Sequence, residues 1–250
     1  MSKFFLLVVL FIFPVRAVCG CTLSEVDNIE NEVCEQIKIN VTFIGDSITT
    51  GSYPWIFQSM LKNYIGPSVV NVSVVAKSGA TFYDMKNKIY KVLENPKTEN
   101  VVMFLGINDC FNFSNSGVPV GNKLEYMVEE FYKVAEFARK NGVQLFIVLP
   151  HMWRKYADKY SLDPVGAVEC TFALRSGIIL GEYDSFVAGR LSGARIVDLW
   201  HYCVDTNDDI FTGKDGLHFD YDGNLKLAEI LSLDYNWIPD YFLWEEYLGC

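Results

Sequence analysis

Apolar residues fall along this chain in two rhythms. Short continuous runs at residues 37–44, 69–75, 101–105, 143–149 and 194–199 have the Val, Ile, Leu and Phe content of strands buried on both faces. Between them the apolar positions spread to helical spacing. Over 82–93 they place Phe82, Met85, Ile89, Val92 and Leu93 on one face, and Leu124, Met127, Val128, Phe131, Val134, Ala135 and Ala138 form a longer stripe closed by Gly142. Ser52-Tyr53-Pro54, a cap with an early-helix proline, opens a helix after the first strand, and weaker patterns predict helices over 168–180 and 225–233. Buried strands alternating with helices imply a parallel sheet, because each crossover must return over one of its faces. The expected fold is an α/β three-layer sandwich (α/β/α) around a mostly parallel five-stranded sheet.

Composition narrows the class. The chain has 250 residues, half of them hydrophobic, which supports one sizeable core. Its 21 basic and 31 acidic side chains give a formal charge of −10, so neither nucleic acid nor anionic lipid is a principal partner. Lys3, the apolar run 4–15 and the small residues up to Gly20 have the layout of a secretory signal peptide. The expected division is therefore a leader at 1–20 and a single domain at 21–250 with an aromatic-rich C-terminal tail, released without a stable membrane anchor into the secretory lumen or outside the cell. Cleavage removes Cys19 and leaves Cys21, Cys34, Cys110, Cys170, Cys203 and Cys250, an even set compatible with three disulfides in any of fifteen pairings. Cys21 and Cys34 lie close enough in sequence to staple the mature N-terminus, and Cys250 is expected to anchor the tail. No CxxC repeats, so zinc is disfavoured, and no other metal or cofactor is called for. Asn40, Asn71 and Asn112 begin N-glycosylation sequons.

In open parallel sheets ligands sit beyond the carboxyl ends of the strands. Three strand exits here carry Gly45-Asp46-Ser47-Ile48-Thr49, Lys77-Ser78-Gly79-Ala80-Thr81 and Gly106-Ile107-Asn108-Asp109, and the fifth leads to Asp215-Gly216-Leu217-His218. A serine hydroxyl becomes nucleophilic only beside a base that a third group orients. Asp215 and His218, three residues apart in a glycine-containing loop, can supply both from one turn, leaving the far ring nitrogen for Ser47. His151 follows a strand and a proline, and His201, between Trp200 and Tyr202, lies in no such glycine-containing loop. The Ser47 N–H, a backbone N–H at Gly79 and the Asn108 side-chain amide are candidate donors for an oxyanion hole. Singly, a serine cap, a turn glycine and a loop asparagine explain each block without catalysis. Their succession at the strand exits of one sheet argues otherwise.

These blocks, in this order, resemble those of the SGNH, or GDSL-type, hydrolases over about residues 37–233. The resemblance implies Ser47 as nucleophile, His218 as general base and acid, Asp215 as its orienting partner, and Ser47, Gly79 and Asn108 as the oxyanion hole. Lys77 departs from the commoner Gly-Val-Ser-Gly form of the second block and changes the charge at the rim. Thr49 excludes the Gly-x-Ser-x-Gly elbow of the other large serine-esterase fold.

The remaining signals are weaker. The stretch 205–209 is acidic, but Ile210 stands where a calcium loop needs glycine. Gly213-Lys214-Asp215 lacks the spacing of a phosphate loop. The aromatic tail at 235–244 is expected to pack over the sheet, and Glu129, Glu130, Lys133, Glu136 and Lys140 to form a solvated helix face. The sequence thus predicts a secreted serine esterase acting through an acyl-Ser47 intermediate on small-molecule or glycan esters. Short acyl groups such as acetyl are favoured because no long apolar insertion would wall a lipid tunnel. A silent ligand-binding protein on the same fold would have lost a triad member, and an acyltransferase would use the same triad while excluding water.

Overall fold

The computed structural model describes residues 38–65, 70–115, 120–151, 164–183, 194–199 and 212–233. The leader at 1–20, Cys21, Cys34, Cys203, Cys250, the acidic stretch 205–209 and the tail at 235–244 lie outside these residues. In chain order the elements are β1 (Ile39–Gly45), α1 (Tyr53–Ile65), β2 (Val70–Ala76), α2 (Phe82–Leu93), β3 (Asn100–Phe104), α3 (Ile107–Asn115), α4 (Val120–Lys140), β4 (Gln144–Leu149), α5 (Pro164–Tyr183), β5 (Ala194–Asp198) and α6 (Tyr221–Leu233). All five strands are parallel, in the order β2-β1-β3-β4-β5. The order reverses at β1, whose neighbours β2 and β3 lie on opposite sides, so the crevice for a ligand opens beyond β1 and β3.

Strand residues alternate between two cores, as a period of two requires. Val41, Phe43, Val102, Phe104, Phe146 and Val148 pack with Phe57 of α1 and Leu227 and Leu231 of α6. Ile44, Val101, Met103, Leu145 and Ile147 pack on the other side with Met85 and Ile89 of α2 and Phe131 and Ala135 of α4. The sheet is thus covered on both faces, which explains why its strands read as unbroken apolar runs.

Two features depart from the sequence reading. Helix α3 was not expected: its Asn-, Asp- and Ser-containing sequence is a poor helix former, and the Cys110–Cys170 disulfide ties it to α5. Glu130 does not lie on a solvated face. It is buried, with one oxygen 2.8 Å from Lys133 and the other 2.5 Å from Lys86 of α2, whereas Glu136 and Lys140 do form an exposed i,i+4 pair. Asn40 and Asn71 lie within β1 and β2, where the predicted strands place them, and hydrogen-bond each other, while Asn112 is exposed on α3.

Candidate active site

Ser47 occupies the turn that leaves β1, half-buried, between the buried residues Asp46 and Ile48. The Asp46 carboxylate shapes this turn: one oxygen accepts the Ile48 N–H at 3.0 Å and the other accepts from Asn108 Nδ2 at 3.0 Å. Thr49, fully buried, meets the Tyr53 hydroxyl at 3.1 Å. The start of α1 is held from a distance. Asn224 of α6 accepts both the Ser52 and Tyr53 N–H groups at 3.1 and 3.0 Å, supplying the side-chain acceptor that the sequence reading assigned to a local serine cap.

The turn before α6 approaches Ser47 from the other end of the chain. His218 Nε2 lies 2.9 Å from Ser47 Oγ, and His218 Nδ1 lies 2.7 Å from Asp215 Oδ2. The second Asp215 oxygen accepts the backbone N–H groups of Leu217 and His218, both at 2.9 Å. Partial burial opposes ionisation of Asp215, but these N–H groups and the imidazole outweigh it and hold the carboxyl below its ordinary range. With the carboxylate on the Nδ1 side, Nε2 of a neutral imidazole is left to accept the serine proton.

Gly79 sits in the exposed turn after β2 with φ +71°. A Cβ there would meet nothing within 4 Å, so the backbone conformation, not close approach, calls for glycine. Asn108 stands in the first turn of α3, and its amide engages both hydrogens, on Asp46 Oδ2 and on the Ala80 carbonyl at 3.1 Å. The structure therefore brings Ser47, Asp215 and His218 into one hydrogen-bonded chain and links Asn108 to the residues flanking Ser47 and Gly79. Among the described residues no group of three or more His, Cys, Asp or Glu side chains is arranged to hold a metal ion.

Asp46, Asp109, Asn224 and His151 also shape the site, and sequence reasoning gave them no role. The nearest sequence signal was the occurrence of both aspartates in the Gly-Asp-Ser and Gly-x-Asn-Asp blocks. Asp109 accepts the Phe82 N–H at 2.9 Å, completing the start of α2 beside the Thr81–Asp84 capping box. Burial pushes the Asp109 carboxyl up to about 6, against the Phe82 N–H, and burial likewise pushes Asp46 up to about 6, against the Ile48 N–H and His218. Between the ordinary value of 3.8 and about 6 the folded chain holds protons that the unfolded chain releases. Stability accordingly falls as pH rises through that window and is flat above it. At neutral pH an ionised Asp109 costs on the order of 3 kcal/mol. Asp109→Asn is expected to raise Tm by several degrees at pH 8, with the difference closing towards pH 4; thermal melts across that range check this.

The sequence matches the model of the GDSL-like lipase/acylhydrolase family over residues 41–231. The chain belongs to that family. As a GDSL-like hydrolase it is a carboxylic ester hydrolase, and its parallel sheet flanked by helices is the fold of solved relatives. The acetyl xylan esterase AlAXEase superposes with a TM-score of 0.58 at 20% identity, covering 77% of this chain and 98% of its own. A catalytic mutant of an acetylxylan esterase from Geobacillus stearothermophilus gives 0.62 at 16% identity, covering 82% and 99%. The lipase/acylhydrolase from Enterococcus faecalis gives 0.56 at 18%, covering 78% and 94%. No curated protein matches this GDSL-like hydrolase in sequence.

Proposed function

We propose that this hydrolase is a secreted esterase that removes short acyl groups, acetyl above all, from carbohydrate or other small alcohols through an acyl-Ser47 intermediate. The observation that carries the reading is the chain of contacts Ser47 Oγ to His218 at 2.9 Å and His218 to Asp215 at 2.7 Å. His218 takes the Ser47 proton as Oγ bonds to the ester carbonyl, then returns that proton to the leaving alcohol oxygen as the ester C–O bond breaks. Water repeats the sequence on the acyl-enzyme, giving the free acid and regenerating Ser47. The developing oxyanion takes the Ser47 and Gly79 N–H groups, and Asn108 joins when one of its hydrogens shifts from the Ala80 carbonyl.

Support for a small acyl group and a large alcohol comes from the rim. Among the described residues His218, Lys77, Ser78, Gly79 and Lys214 are exposed and polar or small, a rim suited to a bulky polar alcohol. Two of the solved relatives are acetyl xylan esterases. The leader pattern at 1–20 and the Cys110–Cys170 disulfide support an oxidising, secretory destination. Hydrolysis of a p-nitrophenyl ester series tests the specificity. kcat/KM is expected to fall about tenfold or more from acetyl to octanoyl, with acetylated xylo-oligosaccharide cleaved, and a rise with acyl length would overturn the proposal.

A further inference from the structure

His151, just beyond the end of β4, is fully buried, and the chemistry above does not use it. We propose that His151 is a positioning residue: by donating its Nε2–H to the Leu217 carbonyl it fixes the peptide plane that aims His218 at Ser47. This rests on the reading of His218 as the general base.

The His151 Nε2 to Leu217 O separation is 3.1 Å. That carbonyl belongs to the peptide unit joining Leu217 to His218, whose N–H donates to Asp215 Oδ1 at 2.9 Å. One peptide plane is thus held at both ends, its oxygen by His151 and its hydrogen by Asp215, and the orientation of that plane sets the direction in which the His218 side chain leaves the backbone. Without the His151 bond, the Asp215 contact is the one hydrogen bond left on that peptide among the described residues, and the other Asp215 oxygen already orients the imidazole. A shift of about 1 Å at a reacting group costs on the order of 100-fold in rate.

The surroundings of His151 suit a neutral donor. Its ring stands edge-on to Phe219 at 4.8 Å and to Phe104 at 6.4 Å between centroids, and Nδ1 is buried with no partner among the described residues. The charged groups acting on it are His218 and Asp215 of the same turn, while β3 presents the apolar Phe104. Burial pushes the imidazole down to about 3, against the Leu217 bond, so the donor persists through neutral pH. Leu217 accepts only if Nε2 carries the proton, which fixes the tautomer.

The test compares full-length wild type with His151→Leu, His151→Gln and His218→Ala on an acetyl ester. Glutamine carries a neutral amide donor of similar reach, and leucine keeps the bulk without it. His151→Leu is expected to lower kcat about 10- to 100-fold with KM nearly unchanged, and His151→Gln to recover activity to within about threefold of wild type. Nitrogen-15 NMR of wild type should show His151 as the Nε2–H tautomer, with no titration from about pH 5 to 9. Three results would overturn the proposal: a folded leucine variant with wild-type kcat, a folded glutamine variant as impaired as the leucine one, or an Nδ1–H tautomer. If the leucine variant does not fold, the tautomer and the glutamine variant still decide. Loss of activity in His218→Ala with wild-type kcat in His151→Leu would defeat this inference alone; His218→Ala as fast as wild type would defeat the catalytic reading beneath it.

Discussion

Ser47→Ala is expected to lower kcat by about four orders of magnitude or more while leaving Tm within a few degrees of wild type. The hydroxyl is half-buried and its contact is with His218, so its loss opens little cavity and strands no deeply buried group. His218→Ala should cost a similar factor, and the double variant no more than either single one, because in the proposed mechanism the two groups move the same proton. Asp215→Asn should cost about 10³- to 10⁴-fold. The carboxylate accepts from the imidazole and from two backbone N–H groups, and an amide retains only one oxygen. If that oxygen keeps the backbone bonds, an NH₂ group faces Nδ1 and drives the proton to Nε2, where it blocks transfer from Ser47. Steady-state hydrolysis of an acetyl ester, with melts of each variant, measures all three effects.

The second large effect is on stability. Gly45→Ala is expected to cost about 3 kcal/mol or more and to lower the urea midpoint accordingly. A Cβ at this position would lie 1.9 Å from Thr49 Oγ1 and 2.7 Å from the Phe104 carbonyl oxygen. Neither neighbour has room to yield. Thr49 is fully buried against Tyr53, and the Phe104 carbonyl belongs to the adjacent strand β3, paired with β1 at Gly45↔Phe104. The glycine therefore lets the Ser47 turn fold back against the end of β1, and its replacement displaces Ser47 as well as the fold. A variant with the wild-type urea midpoint would show that the turn is more pliant than this packing implies.

How much of this was legible in the chain depends on the reach of each interaction. The strands were legible because burial on both faces makes them continuous apolar runs, and α2 and α4 because one face of each repeats at helical period. Asp215 and His218 were legible because their contact spans three residues within one glycine-containing loop. What escaped depends on distant partners. Helix α3 relies on a disulfide to a residue 60 positions away, Asn224 caps a helix 171 to 172 residues upstream, and His151 meets Leu217 across 66. The start of α6 at Tyr221, ahead of the predicted 225, went unread, although Asp220 accepts the Gly223 N–H in the manner of an N-cap. Gly45 stood in the Gly-Asp-Ser block, but the sequence reading gave it no role. The physical reason, a Thr49 side chain and a β3 carbonyl in the space of a Cβ, exists only once the chain has folded.

The most direct test of the account is covalent capture with a fluorophosphonate, read by intact mass and then by peptide mapping. The wild-type enzyme should gain one adduct, carried by the peptide containing Ser47, and Ser47→Ala should gain none. An adduct on another serine, or equal labelling of the two proteins, would contradict the assignment of the nucleophile.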